Sequence, residues 1–242
     1  MIKSFKTESG IEVPAVTKDQ MIEVDRIATE ETGPNLFQMM ENAGRNIAEL
    51  IIETLGKNWR TQKIIVLAGT GGNGGGGICS ARHLANRGAD VKVCVTEPNK
   101  LKEVTAYQLH IIKSTNAKII SIDELQKEAP DLIIDSIIGY SLTGEPNGNS
   151  LELIKWTSTQ LGIKISLDVP SGVNSTTGEA AIHHIKPDIT LTLALPKTGL
   201  RPAITGELYL ADIGITAKVY EKLSLNYQSP FGDNYFVKLL VG

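Results

Sequence analysis

The chain has 242 residues, of which 41% are hydrophobic and 21% are charged, and its formal net charge is −3. This length lies at the upper end of what one hydrophobic core supports, so we predict a single domain spanning residues 1–242. The small negative charge and the lack of a concentrated basic stripe argue against nucleic acid as a partner. No stretch approaches the roughly 20 apolar residues that a membrane span requires, so no membrane partner is expected either.

The cysteines and histidines show no disulfide or metal pattern. Cys79 and Cys94 share no C-x-x-C spacing and lie in apolar runs, so we predict that both are reduced thiols in the core. None of the four histidines, His83 and His110 among them, pairs with a cysteine or carboxylate at metal-ligand spacing, so no zinc site is predicted. The first ten residues lack the apolar segment of a signal peptide, and these features together favour a cytoplasmic protein.

Two amphipathic helices are predicted at the start of the chain. Residues 17–20 (Thr-Lys-Asp-Gln) form a capping-box pattern, after which apolar residues recur at helical spacing. The Gly33-Pro34 pair ends this helix and opens a second one, with Asn42, Arg45 and Glu49 on its solvent face. The apolar faces comprise Met21, Val24, Ile27 and Ala28 in the first helix, and Leu36, Met39, Met40, Ala43, Ile47, Leu50 and Ile51 in the second.

Short apolar runs that alternate with helical periods make up the rest of the chain. Such runs are typical of buried parallel strands, and their alternation with helices predicts a doubly wound sheet. The predicted strands are 64–68, 91–95, 118–122, 132–134, 163–167, 189–195 and 207–211. We therefore predict an α/β fold, a Rossmann-like three-layer αβα sandwich whose mostly parallel central sheet follows the two N-terminal helices. Ligands of such sheets bind beyond the carboxyl ends of the strands, so the loops there are the candidate site.

The first of these loops is rich in glycine. Residues 69–77 (Gly-Thr-Gly-Gly-Asn-Gly-Gly-Gly-Gly) follow the strand 64–68 directly and precede a helical segment over 78–87. A helix start presents free N–H groups and a positive dipole end, and glycines let a pyrophosphate approach the backbone closely. A merely tight turn would not need so many entropically costly glycines, so we predict anion binding here. No Lys-Ser/Thr pair follows, which excludes a P-loop.

Two further loops begin with an aspartate at the end of a strand. Asp135 precedes residues 139–145 (Gly-Tyr-Ser-Leu-Thr-Gly-Glu), and Asp168 precedes a Val-Pro-Ser-Gly segment. Asp135 would bind a cation or a sugar hydroxyl, unless it only caps its own turn. Asp168, which is followed by Pro170 and Ser171, suits general acid–base chemistry or the ligation of a hard cation.

A fourth loop contains a single lysine, Lys197, after another apolar strand. Its ammonium would neutralise a ligand phosphate if it faced the site. A lone lysine in a surface loop is more often simply solvated, and we favour that interpretation.

Four motifs occur in a characteristic order along the chain. They are Met-Met-Glu-Asn-Ala-Gly at 39–44, the glycine segment followed by Ala-Arg-His-Leu at 81–84, Asp135 with residues 139–144, and Leu-Asp-Val-Pro-Ser-Gly at 167–172. Together they resemble the NAD(P)H-hydrate epimerase family, also known as the YjeF N-terminal domain, over nearly the whole chain. Enzymes of that family interconvert the R and S forms of hydrated NADH or NADPH, so that a stereospecific dehydratase can restore the cofactor. The resemblance implies an isomerase with a dinucleotide substrate.

The resemblance also implies roles for individual residues. By matching position, Asn73, Asp135 and Ser171 would ligate a potassium ion, and Asp168 is the candidate catalytic residue that handles the proton. The residues implied to contact the hydrate are Gly72, Asn73, Gly74, Gly75, Gly76, Gly139, Tyr140, Ser141, Leu142, Thr143, Gly144, Glu145 and Asp168. A homodimer, and a separate dehydratase that acts downstream, are the further partners that the resemblance implies.

Three positions depart from the family's usual pattern. Gly72 stands where Asn is usual, Gly76 where Asp is usual, and Glu145 where Asp is frequent. The carboxylate missing at Gly76 is an acceptor for a ribose hydroxyl, and leaving such a ligand group unpaired costs about 1–3 kcal/mol. A non-catalytic nucleotide-binding, dimerisation or scaffold module of the same fold is therefore the alternative function.

A nicotinamide dehydrogenase is a third interpretation. Residues 69–74 satisfy the G-x-G-x-x-G fingerprint, and Glu97 lies about 20 residues further on, where an acid that binds ribose is expected. None of the six tyrosines, however, has a lysine four residues later, as the Tyr-x-x-x-Lys motif of short-chain dehydrogenases requires. The fingerprint alone is weak support, so we discount this interpretation.

Overall fold

The computed structural model describes residues 2–241, in which strands and helices alternate around one sheet. The strands are β1 (Ser4–Thr7), β2 (Glu12–Pro14), β3 (Lys63–Ala68), β4 (Asp90–Val95), β5 (Lys118–Ile120), β6 (Leu132–Ser136), β7 (Ile163–Leu167), β8 (Ile189–Leu193), β9 (Glu207–Ala211) and β10 (Phe236–Val241). The α-helices are α1 (Lys18–Ile27), α2 (Leu36–Leu55), α3 (Gly72–Ala85), α4 (Glu103–Ile112), α5 (Ile122–Leu125), α6 (Gly148–Ser158), α7 (Pro202–Thr205) and α8 (Ala217–Lys222). Within residues 2–241, every helix is too short or too polar to cross a lipid bilayer.

All ten strands pair in the order β2-β1-β10-β9-β8-β7-β6-β3-β4-β5. The strands from β9 to β5 along this order are parallel, whereas β10, β1 and β2 form an antiparallel edge. The seven predicted strands and the predicted α/β class with a mostly parallel sheet are confirmed. The antiparallel edge lies outside the prediction, because β1 and β2 are very short and only one residue of β10 is buried.

The two faces of the sheet carry separate hydrophobic cores. Along β3, Ile64, Val66 and Ala68 belong to one core, and Ile65 and Leu67 belong to the other. Successive side chains of a strand point to opposite faces, so a continuous apolar run marks a strand that is buried on both sides. The first core includes residues of α1 to α4 and α8, and the second includes residues of α5 and α6. This arrangement gives the three predicted layers.

Two predicted strands end earlier than their apolar runs. The strand predicted at 118–122 stops at Ile120, because Ser121 caps α5. The strand predicted at 189–195 stops at Leu193, because Ala194 adopts a left-handed conformation with a φ of 61°. A left-handed residue cannot continue an extended strand. The chain therefore turns at the end of β8, directly before the loop that contains Lys197.

The two predicted helices are present, but the prediction that they precede every strand is wrong, because β1 and β2 come before α1. Thr17 caps α1 through the predicted capping box, and Asn35 forms a second capping box at the start of α2. The predicted faces of α2 are wrong at two positions. Leu36 is exposed in the first turn, and Asn42 is half buried because its amide donates to the backbone oxygen of Ile213. The segment between β9 and α8 thus covers a polar position of α2.

The glycine-rich segment is helical over most of its length rather than a loop. Helix α3 begins at Gly72 with Gly71 as its N-cap, so only residues 69–71 form the predicted turn. A Cβ at Gly77 would overlap the Ser136 side chain on β6. The absence of side chains therefore lets α3 lie unusually close to the sheet.

Gly77→Ala is expected to destabilise the fold. The added Cβ would fall well inside van der Waals contact with Ser136 Oγ, and both residues lie in regular secondary structure that cannot easily shift. Overpacking of a well-packed core costs about 1–3 kcal/mol, and we expect a loss at the upper end of that range. Urea unfolding of the variant and the wild type measures the loss.

Gly71→Ala is the matched control for this prediction. A Cβ at Gly71 meets no heavy atom within 4 Å, and its φ of −98° suits any residue. Its free energy of unfolding should change by less than about 1 kcal/mol, the cost of a less favourable N-cap. Equal losses in the two variants would contradict the close approach of α3 to the sheet as the reason for Gly77.

Candidate active site

Three side chains that the sequence singled out lie at the carboxyl edge of the parallel strands. Asp135 is in β6, Asp168 directly follows β7, and Lys197 follows β8. Their strands are neighbours in the sheet, so their ends converge. The relative exposures of Asp135, Asp168 and Lys197 are 0%, 3% and 0%. Buried charged groups need partners, and these partners define the site.

Asp135 is the centre of an oxygen-rich cluster. Its Oδ2 accepts hydrogen bonds from Ser166 Oγ at 2.8 Å and from the Ser171 N–H at 2.9 Å. Its Oδ1 accepts from Ser171 Oγ at 2.5 Å and from the Ile137 N–H at 3.2 Å, and the Ile138 N–H donates to Ser171 Oγ at 2.9 Å. Burial raises the pKa of Asp135, although the hydrogen bonds from Ser171 and Ser166 act in the opposite direction. Asp135 therefore caps its own turn through the Ile137 N–H, and it also binds Ser166 and Ser171 from the neighbouring strand and loop.

Gly139 brings the glycine-rich helix and the loop after β7 together. A Cβ at position 139 would lie 2.9 Å from Asp168 Oδ2 and 3.2 Å from Asn73 Cγ, so a larger residue would push these side chains away. Both polar atoms of the Asn73 amide are buried and have no hydrogen-bond partner within residues 2–241. A buried unpaired amide costs free energy and marks a position that a ligand or an ion would satisfy. Three sequence-predicted site residues, Asn73, Gly139 and Asp168, thus lie next to one another.

Asp168 is held by opposing contacts in a strained backbone conformation. Its φ of 71° lies in the left-handed region, which few residues other than glycine adopt. Its Oδ1 pairs with the Lys197 ammonium and accepts weakly from the Leu193 N–H at 3.4 Å. Its Oδ2 accepts from the Tyr140 N–H at 2.9 Å. Backbone strain of this kind persists only where the surroundings enforce it, and it concentrates at functional sites.

The prediction that Lys197 is a solvated surface lysine is wrong. Its ammonium is fully buried, and besides Asp168 it donates to the Leu193 backbone oxygen at 2.9 Å and to Thr192 Oγ1 at 3.3 Å. The turn at left-handed Ala194 directs the chain so that the lysine reaches back toward β8. The sequence pattern gave no sign of this, because it does not show which loop covers the strand ends.

Two residues of α1 that the sequence did not single out hold the loop after β6. Asp25 Oδ2 accepts a 2.5 Å hydrogen bond from the Tyr140 hydroxyl, and Lys18 Nζ donates to the backbone oxygens of Ser141 and Leu142, each at 3.1 Å. Burial raises the pKa of Asp25 and that of Tyr140. The signal available for Asp25 was its place beside the buried stripe of an amphipathic helix, where a charge is unusual.

The remaining predicted substrate contacts lie in the first turns of α3 and at the rim of the site. Helix α3 carries Gly72 and Asn73, which are half buried, and Gly74, Gly75 and Gly76, which are buried. The rim consists of the exposed Ser141, Thr143, Gly144 and Glu145, with Leu142 half buried. An added Cβ at position 76 would meet Leu167 Cδ2 at 2.9 Å and Ala43 Cβ at 3.5 Å. The side-chain direction at Gly76 is therefore filled by packing between α2 and β7.

A second cluster of reactive side chains lies between α2 and α3. Glu41, Cys79 and His83 place potential ligand atoms within 4.8 Å of one another, so the expectation that no histidine pairs with a cysteine or carboxylate is wrong. Arg82 donates to Glu41 and to Cys79 Sγ, and thus already supplies the positive charge of this cluster. Burial raises the pKa of Cys79 to about 12, which disfavours a thiolate ligand. Cys79 and Cys94 are free and buried, as predicted.

Acidification is expected to destabilise this cluster through His83. Burial lowers the pKa of His83, and the hydrogen bond to Glu41 only partly offsets that effect. The unfolded chain therefore binds the proton more tightly than the folded chain, so the free energy of unfolding falls as the pH drops below about 6.5. His83→Gln should flatten this part of the pH dependence, as measured by urea unfolding at several pH values. An unchanged slope would contradict the assignment to His83.

Comparisons with known proteins place the chain in a family. The family model described as YjeF-related protein N-terminus matches residues 36–199, more than half of the chain. A protein of Dehalogenimonas lykanthroporepellens named NAD(P)H-hydrate epimerase is 46% identical over 240 residues, which cover 99% of this chain and 98% of that relative. The chain belongs to the NAD(P)H-hydrate epimerase family.

A longer sequence relative and a solved structure are also similar to this chain. A protein of Hyperthermus butylicus named bifunctional NAD(P)H-hydrate repair enzyme Nnr is 35% identical over 79% of this chain, but the match spans 37% of that longer protein. The crystal structure of a yeast protein has a TM-score of 0.77 at 23% identity, covering 93% of this chain and 100% of the yeast chain. The predicted Rossmann-like sandwich is confirmed as the fold.

Proposed function

We propose that this chain is an isomerase that interconverts the R and S forms of hydrated NADH and NADPH. The proposal rests mainly on the buried carboxylate of Asp168, a residue with a strained backbone, and on the unpaired amide of Asn73 next to it. Both lie at the edge of the sheet where ligands of such folds bind. Buried carboxylates next to unsatisfied buried polar atoms at the strand ends of such a sheet are typical of active sites. The substrate is supported by relatives named NAD(P)H-hydrate epimerase, one of which matches the whole chain at 46% identity.

The proposed reaction is the loss and return of water at one ring carbon. The carbon that bears the hydroxyl is bonded to the ring nitrogen, whose lone pair helps to expel the protonated hydroxyl as water and leaves an iminium-like cation. Water then adds to the opposite face and gives up a proton, so the configuration inverts while the composition stays the same. The Asp168 carboxylate would exchange the proton and stabilise the cation.

The start of α3 is the proposed seat of the pyrophosphate. Gly71, the N-cap, makes no side-chain capping bond, so the first N–H groups of this 14-residue helix lack that partner. Free N–H groups at the positive end of a helix dipole bind anions. We propose that Gly72, Asn73, Gly74, Gly75 and Gly76, together with residues 139–145 and Asp168, contact the hydrate.

We further propose that Asn73, Asp135 and Ser171 hold a potassium ion. Their donor atoms are all oxygens, which suits a hard cation, and the buried Asp135 carboxylate supplies negative charge. Asn73 Oδ1, buried without a partner, fits this role best. When bound, the ion would add positive charge beside Asp168 and order the glycine-rich helix start against the loop after β7.

A chromatographic assay of the R and S hydrates tests the function. Purified protein should bring a single hydrate to its equilibrium mixture faster than buffer alone, and faster in potassium than in sodium at equal ionic strength. Asn73→Ala should remove the difference between the two cations, because it deletes the unpaired amide oxygen. A folded wild-type protein that gives only the spontaneous rate would overturn the proposal and leave the non-catalytic module.

We propose a separate dehydratase that acts downstream, a homodimer, and a cytoplasmic location. The Hyperthermus butylicus relative is named a bifunctional repair enzyme, which supports a second repair activity alongside the epimerase. Light scattering coupled to size-exclusion chromatography tests the homodimer, because a monomer of 26.1 kDa and its dimer are well resolved.

A further inference from the structure

The ammonium group of Lys197 is used entirely within the protein. It donates to Asp168 Oδ1, to the Leu193 backbone oxygen at 2.9 Å and to Thr192 Oγ1 at 3.3 Å. A lysine ammonium has three N–H donors, so no donor remains for a ligand. While these bonds are in place, Lys197 neither contacts the proposed hydrate nor neutralises its phosphates.

The orientation of the Asp168 carboxylate depends on this ammonium. Lys197 takes Oδ1, whereas the Tyr140 N–H takes Oδ2 at 2.9 Å. These two contacts, from opposite sides, fix the plane of the carboxylate and direct Oδ2 toward Gly139 and Asn73. Without Lys197, Oδ1 would keep only its weak contact with the Leu193 N–H at 3.4 Å, so the carboxylate could rotate about its contact with the Tyr140 N–H.

The same ammonium offsets part of the negative charge around Asp168. Asp25 on α1 accepts a hydrogen bond from the Tyr140 hydroxyl, and its carboxylate is a second negative charge near Asp168. Among residues 2–241, Lys197 is the one lysine or arginine that is fully buried, and it forms the ion pair with Asp168. Without this cation, the buried Asp168 and the half-buried Asp25 carboxylates would repel each other.

We infer that Lys197 is a positioning residue for the epimerisation. It holds the Asp168 carboxylate in the orientation that the carboxylate needs to act on the hydrate, and it offsets part of the negative charge there. This inference rests on the proposed function. Because Lys197 acts through Asp168 and has no donor left for the hydrate, its removal should slow turnover and leave hydrate binding largely intact.

Steady-state kinetics of Lys197→Met provide the first test. Methionine keeps most of the volume and removes the charge, so we expect kcat to fall about 100-fold, the effect of a misplaced reacting group. KM should change by less than about threefold, since uniform binding of the hydrate is retained. Lys92→Met is the matched control, because Lys92 is in β4, which is separated from β6 and the site by β3, and forms an ion pair with Glu128. Both kcat and KM of this variant should stay at the wild-type values.

Chemical rescue of Lys197→Ala provides the second test. The atoms that this variant removes correspond to propylammonium, so adding that ion should restore kcat by about tenfold or more. Propan-1-ol, which has a similar size but no charge, should not restore it. Circular dichroism and thermal unfolding establish whether each variant is folded. If Lys197→Met does not fold, the rescue of Lys197→Ala by propylammonium remains as the test.

The outcomes separate this inference from the proposed function. A wild-type protein without epimerase activity would overturn the function itself. An active wild type together with a folded Lys197→Met of unchanged kcat would overturn only the positioning role. A large rise in KM at constant kcat would also overturn it, because Lys197 would then bind the hydrate directly. Equal rescue by propylammonium and propan-1-ol would show that the cavity matters rather than the charge.

Discussion

Asp168→Asn is expected to lower the rate of hydrate epimerisation by at least about 100-fold, because a general acid–base group contributes about 10²–10⁴-fold. Asparagine keeps the shape of the carboxylate but carries no charge and cannot exchange the proton. It also tolerates the left-handed backbone at position 168, where φ is 71°, so the chain should stay folded. The chromatographic assay, together with circular dichroism of the same sample, measures both effects.

Asp131→Asn is the matched control for this variant. Asp131 lies immediately before β6, at the amino edge of the sheet, where its exposed carboxylate accepts from the Lys63 N–H at 2.8 Å. It is at the opposite end of β6 from the proposed site, so its replacement should leave turnover unchanged. A folded Asp168→Asn protein with wild-type turnover would remove Asp168 from the reaction.

Lys197→Met is expected to reduce the free energy of unfolding by about 3–5 kcal/mol, which is the cost of removing one partner of a buried ion pair. Methionine fills the space but leaves the Asp168 carboxylate, 3% exposed, without its ammonium. The double variant Lys197→Met/Asp168→Asn should recover most of this loss, because it leaves no uncompensated buried charge. Urea unfolding of the wild type, both single variants and the double variant gives the coupling energy.

Salt provides an internal check on this ion pair. Both side chains are buried, so their coupling energy should change little between low and high ionic strength, unlike that of an exposed pair. Simply additive losses in the two single variants would contradict the assignment of Lys197 and Asp168 as mutual partners. A coupling that disappears in salt would mean that the pair is open to solvent.

The parallel part of the fold could be predicted from the sequence because its central strands, such as β3, β6 and β8, are buried on both faces. Apolar runs such as residues 64–68 cannot lie at a surface, so they identify β3 and its neighbours directly. The antiparallel edge has no such signature. In β10 only Leu239 is buried, and its pairing with β9 and β1 depends on contacts between distant parts of the chain.

The glycine-rich segment shows a different limit of the sequence. Its position between a strand and a helix was predicted, but its glycines suggested a loop because glycine disfavours helices. Tertiary packing overrides that preference here, since Gly77 must lie against Ser136 and a side chain would prevent it. The length of helix α3 therefore follows from its contacts with the sheet rather than from its intrinsic propensity.

The candidate site contains residues that could be predicted from the sequence and residues that could not. Asp135 and Asp168 could be predicted because both stand at the ends of apolar strands, where ligands of open sheets bind. The partners Lys197 and Asp25 could not. The burial of Lys197 depends on a left-handed turn at Ala194, and that of Asp25 on a contact with Tyr140, which lies 115 residues further along the chain. The position of a residue at a strand end follows from the neighbouring sequence, whereas the identity of its buried partner depends on distant parts of the chain.

The most direct test of this account is epimerisation of a single hydrate in water enriched in ¹⁸O, with the oxygen label of both epimers followed by mass spectrometry. We expect the protein to accelerate inversion over the spontaneous rate and each newly formed epimer to carry ¹⁸O, because water leaves and a solvent water returns to the opposite face. Accelerated inversion without the label would contradict the loss and return of water at the Asp168 site. The absence of any acceleration by folded protein would contradict the epimerase itself.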